Sequence, residues 1–246
     1  MEYPHYARAV DDRLPAYLQL RDRLAGQIAA GTWRVDEALP SENVLAQQTG
    51  LSVGTVRRAM QALVDEGLLE RRRGSGTFLK KPAFDASLFR FFSVQLPDGQ
   101  GTIPSSRLTS RQIAPAPEPF RALFGDVEAI HIERLRGVSG QVLLAEDIWI
   151  PSSRFAGFES MPEAEIGPLL YPVYMSRFGV LVARIVDDVS FSTADGKMAE
   201  RLGLPQGAPL AVVERIAYAP DGMPVEWRVA CGSATWFRYR SRIGPG

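Results

Sequence analysis

The 246-residue chain reads as a two-domain α+β protein. In its first third, apolar residues recur at three- and four-residue spacing, the period of helices, and the segment closes on a short basic hairpin with a glycine tip. From Val127 onward the period falls to two, in strand-length runs joined by turns and a few helical stretches, which predicts an α+β fold with a mostly antiparallel sheet. Length agrees, being long for one domain and short for three. Lys80-Lys81-Pro82 breaks the pattern, giving an N-terminal arm over 1–14, a first domain over 15–81 and a second over 82–246.

Composition narrows the class. A 46% hydrophobic and 23% charged chain has enough apolar surface to build cores, unlike a disordered one. Cys231 is the only cysteine, so no internal disulfide can form. No run approaches the roughly 18 apolar residues of a membrane helix, and the polar, aromatic Met1–Asp12 stretch lacks the apolar segment of a secretory signal. A cytoplasmic protein is expected. The 28 basic and 28 acidic residues balance overall, but from Arg57 to Lys81 seven basic residues oppose three acidic ones. Such a run is either a solvated face or a nucleic-acid footprint.

The first domain opens with Tyr17, Leu20, Leu24 and Ile28 on one helical stripe that Gly31 stops. Ser41 caps a second, short helix, with Glu42 at its positive end and Gly50 after it. Ser52 caps a third. There Val56, Ala59, Met60 and Leu63 form a stripe for burial, while Gly54, Arg57, Arg58 and Gln61 repeat the spacing on another face. That face suits a DNA major groove: small residues permit close approach, arginine pairs with guanine or phosphate, and glutamine reads adenine.

After Gly67, Leu68–Arg73 reads as a strand, Gly74-Ser75-Gly76 as a turn and Thr77–Leu79 as the return strand. A glycine-tipped, arginine-rich hairpin, with Arg72 on its arm, can approach the sugar-phosphate backbone. A winged helix-turn-helix results. The alternative is a three-helix bundle and hairpin used for protein contact.

These strings resemble the DNA-binding domain of the GntR family: Leu39-Pro40-Ser41-Glu42, Leu51-Ser52-Val53-Gly54-Thr55-Val56-Arg57-Arg58-Ala59, Glu66-Gly67-Leu68-Leu69 and Gly74-Ser75-Gly76-Thr77-Phe78. Two positions depart from the family pattern. Asn43 and Val53 stand where the family usually carries arginine facing DNA, whereas Arg57, Ser52, Thr55 and Gly76 are kept. Asparagine favours adenine, and valine can only touch a thymine methyl, so an altered operator is expected. The expected DNA contacts are Ser41, Asn43, Ser52, Val53, Gly54, Thr55, Arg57, Arg58, Gln61, Arg72, Gly74, Ser75 and Gly76.

In the second domain, Pro97–Ser110 reads as a loose segment, either a loop over a pocket or plain connecting chain. Val127–Val138 pairs with Gln141–Ile150 across a turn at Gly140. Ile166–Phe178 is helical mainly in its later part, Val180–Ser192 is strand-like, and Thr193 caps a helix through Leu202. Leu210–Tyr218 and Met223–Cys231 form a hairpin around Asp221-Gly222. Alternation places Ile130, Ile132, Arg134, Arg136 and Val138 on one face, and Val142, Leu144, Glu146, Ile148 and Ile150 on a partner face. Charges on such faces are either bridged to each other or bind a ligand. An arginine fork matches carboxylate or phosphate oxygens.

This region also resembles the UTRA effector domain of the HutC subfamily. The matching strings are Ile132-Glu133-Arg134-Leu135-Arg136, Tyr171 ahead of Gly179, Gly207-Ala208-Pro209-Leu210, Glu214-Arg215 and Asp221-Gly222-Met223-Pro224-Val225-Glu226. The resemblance implies a chorismate lyase-like fold, dimerisation through this domain, and an effector pocket lined by Arg134, Arg136, Glu146, Tyr171 and Glu226. Leu169 replaces a usual serine and Thr235-Trp236 a usual Asp-Arg, which implies a less hydrophilic ligand than a sugar phosphate. Trp149 and Trp227 are either aromatic walls of the pocket or core.

The resulting expectation is a DNA-binding regulator, a repressor by default, that works as a homodimer on double-stranded operator DNA and answers to a small, anionic metabolite. The alternatives are a lyase-like enzyme and an effector-independent DNA binder. No nucleophile, metal or cofactor motif supports an enzyme: His131 falls opposite the arginines, and Cys231 alternates with Val225, Trp227 and Val229 as core. No cofactor, metal or membrane partner is expected.

Overall fold

The computed structural model describes residues 14–29, 32–33, 37–80, 105–138 and 140–238. The N-terminal arm before Leu14, the stop at Gly31, the boundary at Pro82 and the 97–104 stretch lie outside the described residues. The chain forms two compact units. One takes residues up to 82 together with Tyr174–Arg184 and Ala217–Val225, and the other takes the remainder.

Helices α1 (Ala16–Ala29), α2 (Glu42–Thr49) and α3 (Val53–Asp65) precede the hairpin β1 (Leu69–Arg72) and β2 (Gly76–Leu79). Local chemistry sets the helix ends. The Ser41 hydroxyl accepts from Val44 N–H and the Ser52 hydroxyl from Thr55 N–H, so both serines are N-caps as expected. Gly50 ends α2 in the left-handed region at φ 71°, where a side chain would be strained. Leu20, Leu24 and Ile28 meet Val56, Ala59, Met60 and Leu63 in one buried cluster, closed by Leu39, Leu45, Leu69 and Leu79. Leu181 belongs to the same cluster. A backbone bond from Leu39 N–H to Thr77 carbonyl ties the approach to α2 against the hairpin.

The larger unit is built on a six-stranded sheet of order β3-β4-β5-β8-β7-β6. Its strands are β3 (Ser105–Ala114), β4 (Ala129–Val138), β5 (Gln141–Pro151), β6 (Arg184–Thr193), β7 (Pro209–Tyr218) and β8 (Pro224–Ser233). The helices are α4 (Glu118–Phe124), α5 (Glu163–Ile166), α6 (Leu170–Phe178) and α7 (Gly196–Leu202). The registered pairs β3–β4, β4–β5 and β5–β8 are antiparallel, and the fold is α+β.

Four readings need correction. Ser105–Ser110 is not loose chain but the first part of β3, an edge strand in which Leu108 is the one apolar residue among these six, too few to show its period. Helix α4 was not foreseen. Asp195, not Thr193, caps α7, its carboxylate accepting from Met198 N–H at 2.7 Å, while Thr193 ends β6. Val142 does not share the face of Leu144 and Glu146, because a register shift between Arg136 and Gly137 turns it to the other side, against Leu135 and Cys231.

Candidate nucleic-acid interface and effector cavity

In the first unit, the start of α2, helix α3 and the wing hairpin enclose an open groove of about 620 Å³. Ser41, Asn43, Arg57, Arg72, Gly74, Ser75 and Gly76 line it, as do Glu42 and Arg71, which the sequence reading did not single out as contacts. Arg57 is exposed, its side chain at 63%, because α3 spends its other face on the core. Glu42 accepts from Arg57 Nε at 2.8 Å and from Arg71 Nη2 at 3.2 Å, which gathers two cations at one point of the groove.

Other expected contacts lie on α3 but off the groove wall. Ser52, Gly54, Arg58 and Gln61 are exposed, and Val53 and Thr55 half-buried. Arg58 stacks over the Tyr17 ring at 5.1 Å, and Gln61 donates to Asp65 at 2.8 Å. Arg72 lies over Phe78 at 4.3 Å and pairs with Glu70. The wing tip closes through Ser75 N–H to the Arg72 carbonyl. Helix, groove and basic hairpin together form a concavity that gathers Arg57, Arg71 and Arg72.

In the second unit all five residues expected at the effector pocket are buried. Arg134 and Glu146 are direct partners across β4 and β5 and form an ion pair. The residue that joins the rest is Arg228, not foreseen although it follows Glu226 at period two. Arg228 donates to Glu146 at 3.1 Å and holds both oxygens of Glu226 at 2.9 Å, while the Tyr171 hydroxyl donates to Glu226 at 3.2 Å. Arg215 grips Asp187 through two bonds of 2.6 and 2.9 Å.

Burial alone would push the Glu146 carboxyl up, but Arg134, Arg228 and Arg136 outweigh it and hold the group at about 2. Burial, with Glu226 beside it, pushes the Tyr171 phenol up, so it stays a donor. Burial disfavours the Arg228 charge, yet Glu226 and Glu146 hold it firmly protonated. The buried bridge and the potential ligand site are thus one network.

A cavity of about 220 Å³ adjoins this network. Of the five expected residues only Arg134 lines it. The rest of the wall is Ser106, Leu108, Glu163, Ala164, Ile166, Gly167, Pro168 and Leu170. Arg136, Glu146, Tyr171 and Glu226 do not line it. Arg134 is 2% exposed, and its Nη1 is buried with no hydrogen-bond partner among the described residues. Trp149 stacks on His131 at 4.1 Å and Trp227 donates to Glu214, so neither indole lines the cavity. His131 bonds Asp147 on the far sheet face, and Lys197 and Arg201 pair with Glu133 and Asp147 there, supplying cations to that acidic cluster.

A DNA-reading head followed by an effector domain defines a transcription regulator, not an enzyme. The chain belongs to the gntR family of bacterial regulatory proteins, whose model matches residues 16–79, and it carries a UTRA domain over residues 99–238. It is 30% identical to the HTH-type transcriptional regulator SmoD of Agrobacterium fabrum over 94% of this chain and 97% of that protein. It is 32% identical to the HTH-type transcriptional repressor NagR of Bacillus subtilis, covering 87% and 88% of the two chains. The crystal structure of PhnF from Mycobacterium smegmatis matches the fold with a TM-score of 0.53 at 20% identity, over 94% of this chain and all of that one (100%). Among the described residues no helix is long and apolar enough to cross a membrane.

Proposed function

We propose that this chain is a cytoplasmic repressor that binds operator DNA as a homodimer and releases it when a small anionic metabolite occupies the cavity at Arg134. One observation carries the effector reading: a buried guanidinium on the cavity wall whose Nη1 has no hydrogen-bond partner among the described residues. A buried donor without an acceptor costs free energy, and an anionic ligand supplies the acceptor. Arg57, Arg71 and Arg72, with the wing glycines, form the DNA-facing surface, and Asn43 takes part in base reading. A single recognition helix reads too few base pairs for genomic selectivity, so two heads on a two-fold operator are expected.

The test is anisotropy titration of a selected operator at fixed salt, with and without candidate anions. Arg57→Ala is expected to weaken specific binding by about 1–3 kcal/mol. Ligand and operator must weaken each other by the same factor. An operator affinity unmoved by every anion that binds the protein would leave a plain DNA binder.

A further inference from the structure

We infer that the effector, on the reading just given, is a short monocarboxylate with a branched apolar body, not a phosphate ester. Among the described residues the cavity wall carries two side-chain groups able to donate: the Arg134 guanidinium, whose Nη1 has no partner there, and the Ser106 hydroxyl. Two donors match the two oxygens of a carboxylate. A phosphate monoester brings a further oxygen and nearly a second charge, for which the described wall offers no further side-chain donor.

Arg134 is not a fully free charge either. It is ion-paired with Glu146, which also accepts from Arg228. One additional negative charge completes its surroundings, and a second would be unbalanced. The acidic group on the wall, Glu163, lies on the exposed side and disfavours a dianion further. The remaining wall is apolar, with Leu108, Ile166 and Leu170 its largest members. Size sets the last limit. About 220 Å³ equals the liquid volume of about seven waters, which suits a short branched acid.

The experiment uses the full-length protein and two probes of like shape, isocaproate and isopentyl phosphate, followed by calorimetry and by operator anisotropy. Isocaproate is expected to bind at least about tenfold tighter than isopentyl phosphate and to lower operator affinity. Ser106→Ala and Arg134→Lys should each weaken isocaproate about tenfold. Leu108→Trp, which fills the cavity and leaves the ion network untouched, should abolish binding while the variant stays folded and binds operator.

Tighter binding of isopentyl phosphate, or isocaproate binding unaffected by Leu108→Trp, overturns the inference. So does a failure of isocaproate to bind at all. The broader reading is judged apart: if isopentyl phosphate or a hexose phosphate releases the operator instead, the chain is still an anion-responsive regulator and only the carboxylate assignment falls.

Discussion

Glu42 and Arg57, fifteen residues apart in sequence, meet at 2.8 Å on the wall of the groove between α2, α3 and the wing, and the same carboxylate also receives Arg71 from the wing. On the proposed function the carboxylate restrains two cations that a phosphate would otherwise compete for, and it opposes the DNA charge itself. Glu42→Gln is expected to raise affinity for random-sequence duplex by about 3–10-fold at low salt and to narrow the gap between operator and random DNA. Because Glu42 also sits at the positive end of α2, the same change should cost about 0.3–1 kcal/mol of stability. Salt-dependent anisotropy and urea unfolding measure the two effects.

Acid should loosen the second domain through Glu146. Its folded pKa of about 2 lies below the ordinary value of 4.5, so the fold favours the ionised form. That stability is complete above about pH 4.5 and is lost as pH falls toward 2; by linkage it amounts to roughly 3 kcal/mol. Asp147 adds to the same trend: burial would raise it, but His131 and Arg201 hold it low. In urea titrations across that window, Glu146→Gln should show a visibly flatter loss of stability with acid than the parent. An equal slope would show that Glu146 is not the group responsible.

Gly137 is where β4 presses on its own hairpin partner. A Cβ there would lie 2.1 Å from the Gln141 carbonyl oxygen, a backbone atom that cannot rotate away. Gly137→Ala is expected to cost about 1–3 kcal/mol and, by moving the adjacent Arg136, to change effector affinity as well. Thermal unfolding and ligand titration of the variant check both.

Cys231 should be inert in the native protein. It is buried, and that burial pushes its thiol up to about 11, so the nucleophilic thiolate is scarce near neutrality. A disulfide-exchange reagent at mildly alkaline pH should label it only after denaturant is added. Rapid labelling of the native protein would mean that the face against Leu135 and α7 opens.

Much of the head was legible because its information is local. The two faces of α3 follow from the helical period within thirteen residues, and the caps at Ser41 and Ser52 from their own hydroxyls. The burial of Arg134, Arg136 and Glu146 followed from strand alternation, and Arg228 was within reach of the same rule. Short or polar elements escaped it: α4 spans two turns with a proline in the first, and β3 carries too few apolar residues to show a period.

By itself, then, the sequence determined the order of most elements, the cationic face of α3 and that Arg134, Arg136 and Glu146 turn inward, because periodicity and capping act over neighbouring residues. Only the tertiary structure decided the rest. The shift at Gly137 chose the side on which Val142 packs, Glu42 drew Arg57 and Arg71 together, and Ser106 and Leu108 came from β3 to share a cavity with Arg134 and Ile166. These outcomes depend on strand register and on contacts between distant segments, which no local pattern of side chains encodes.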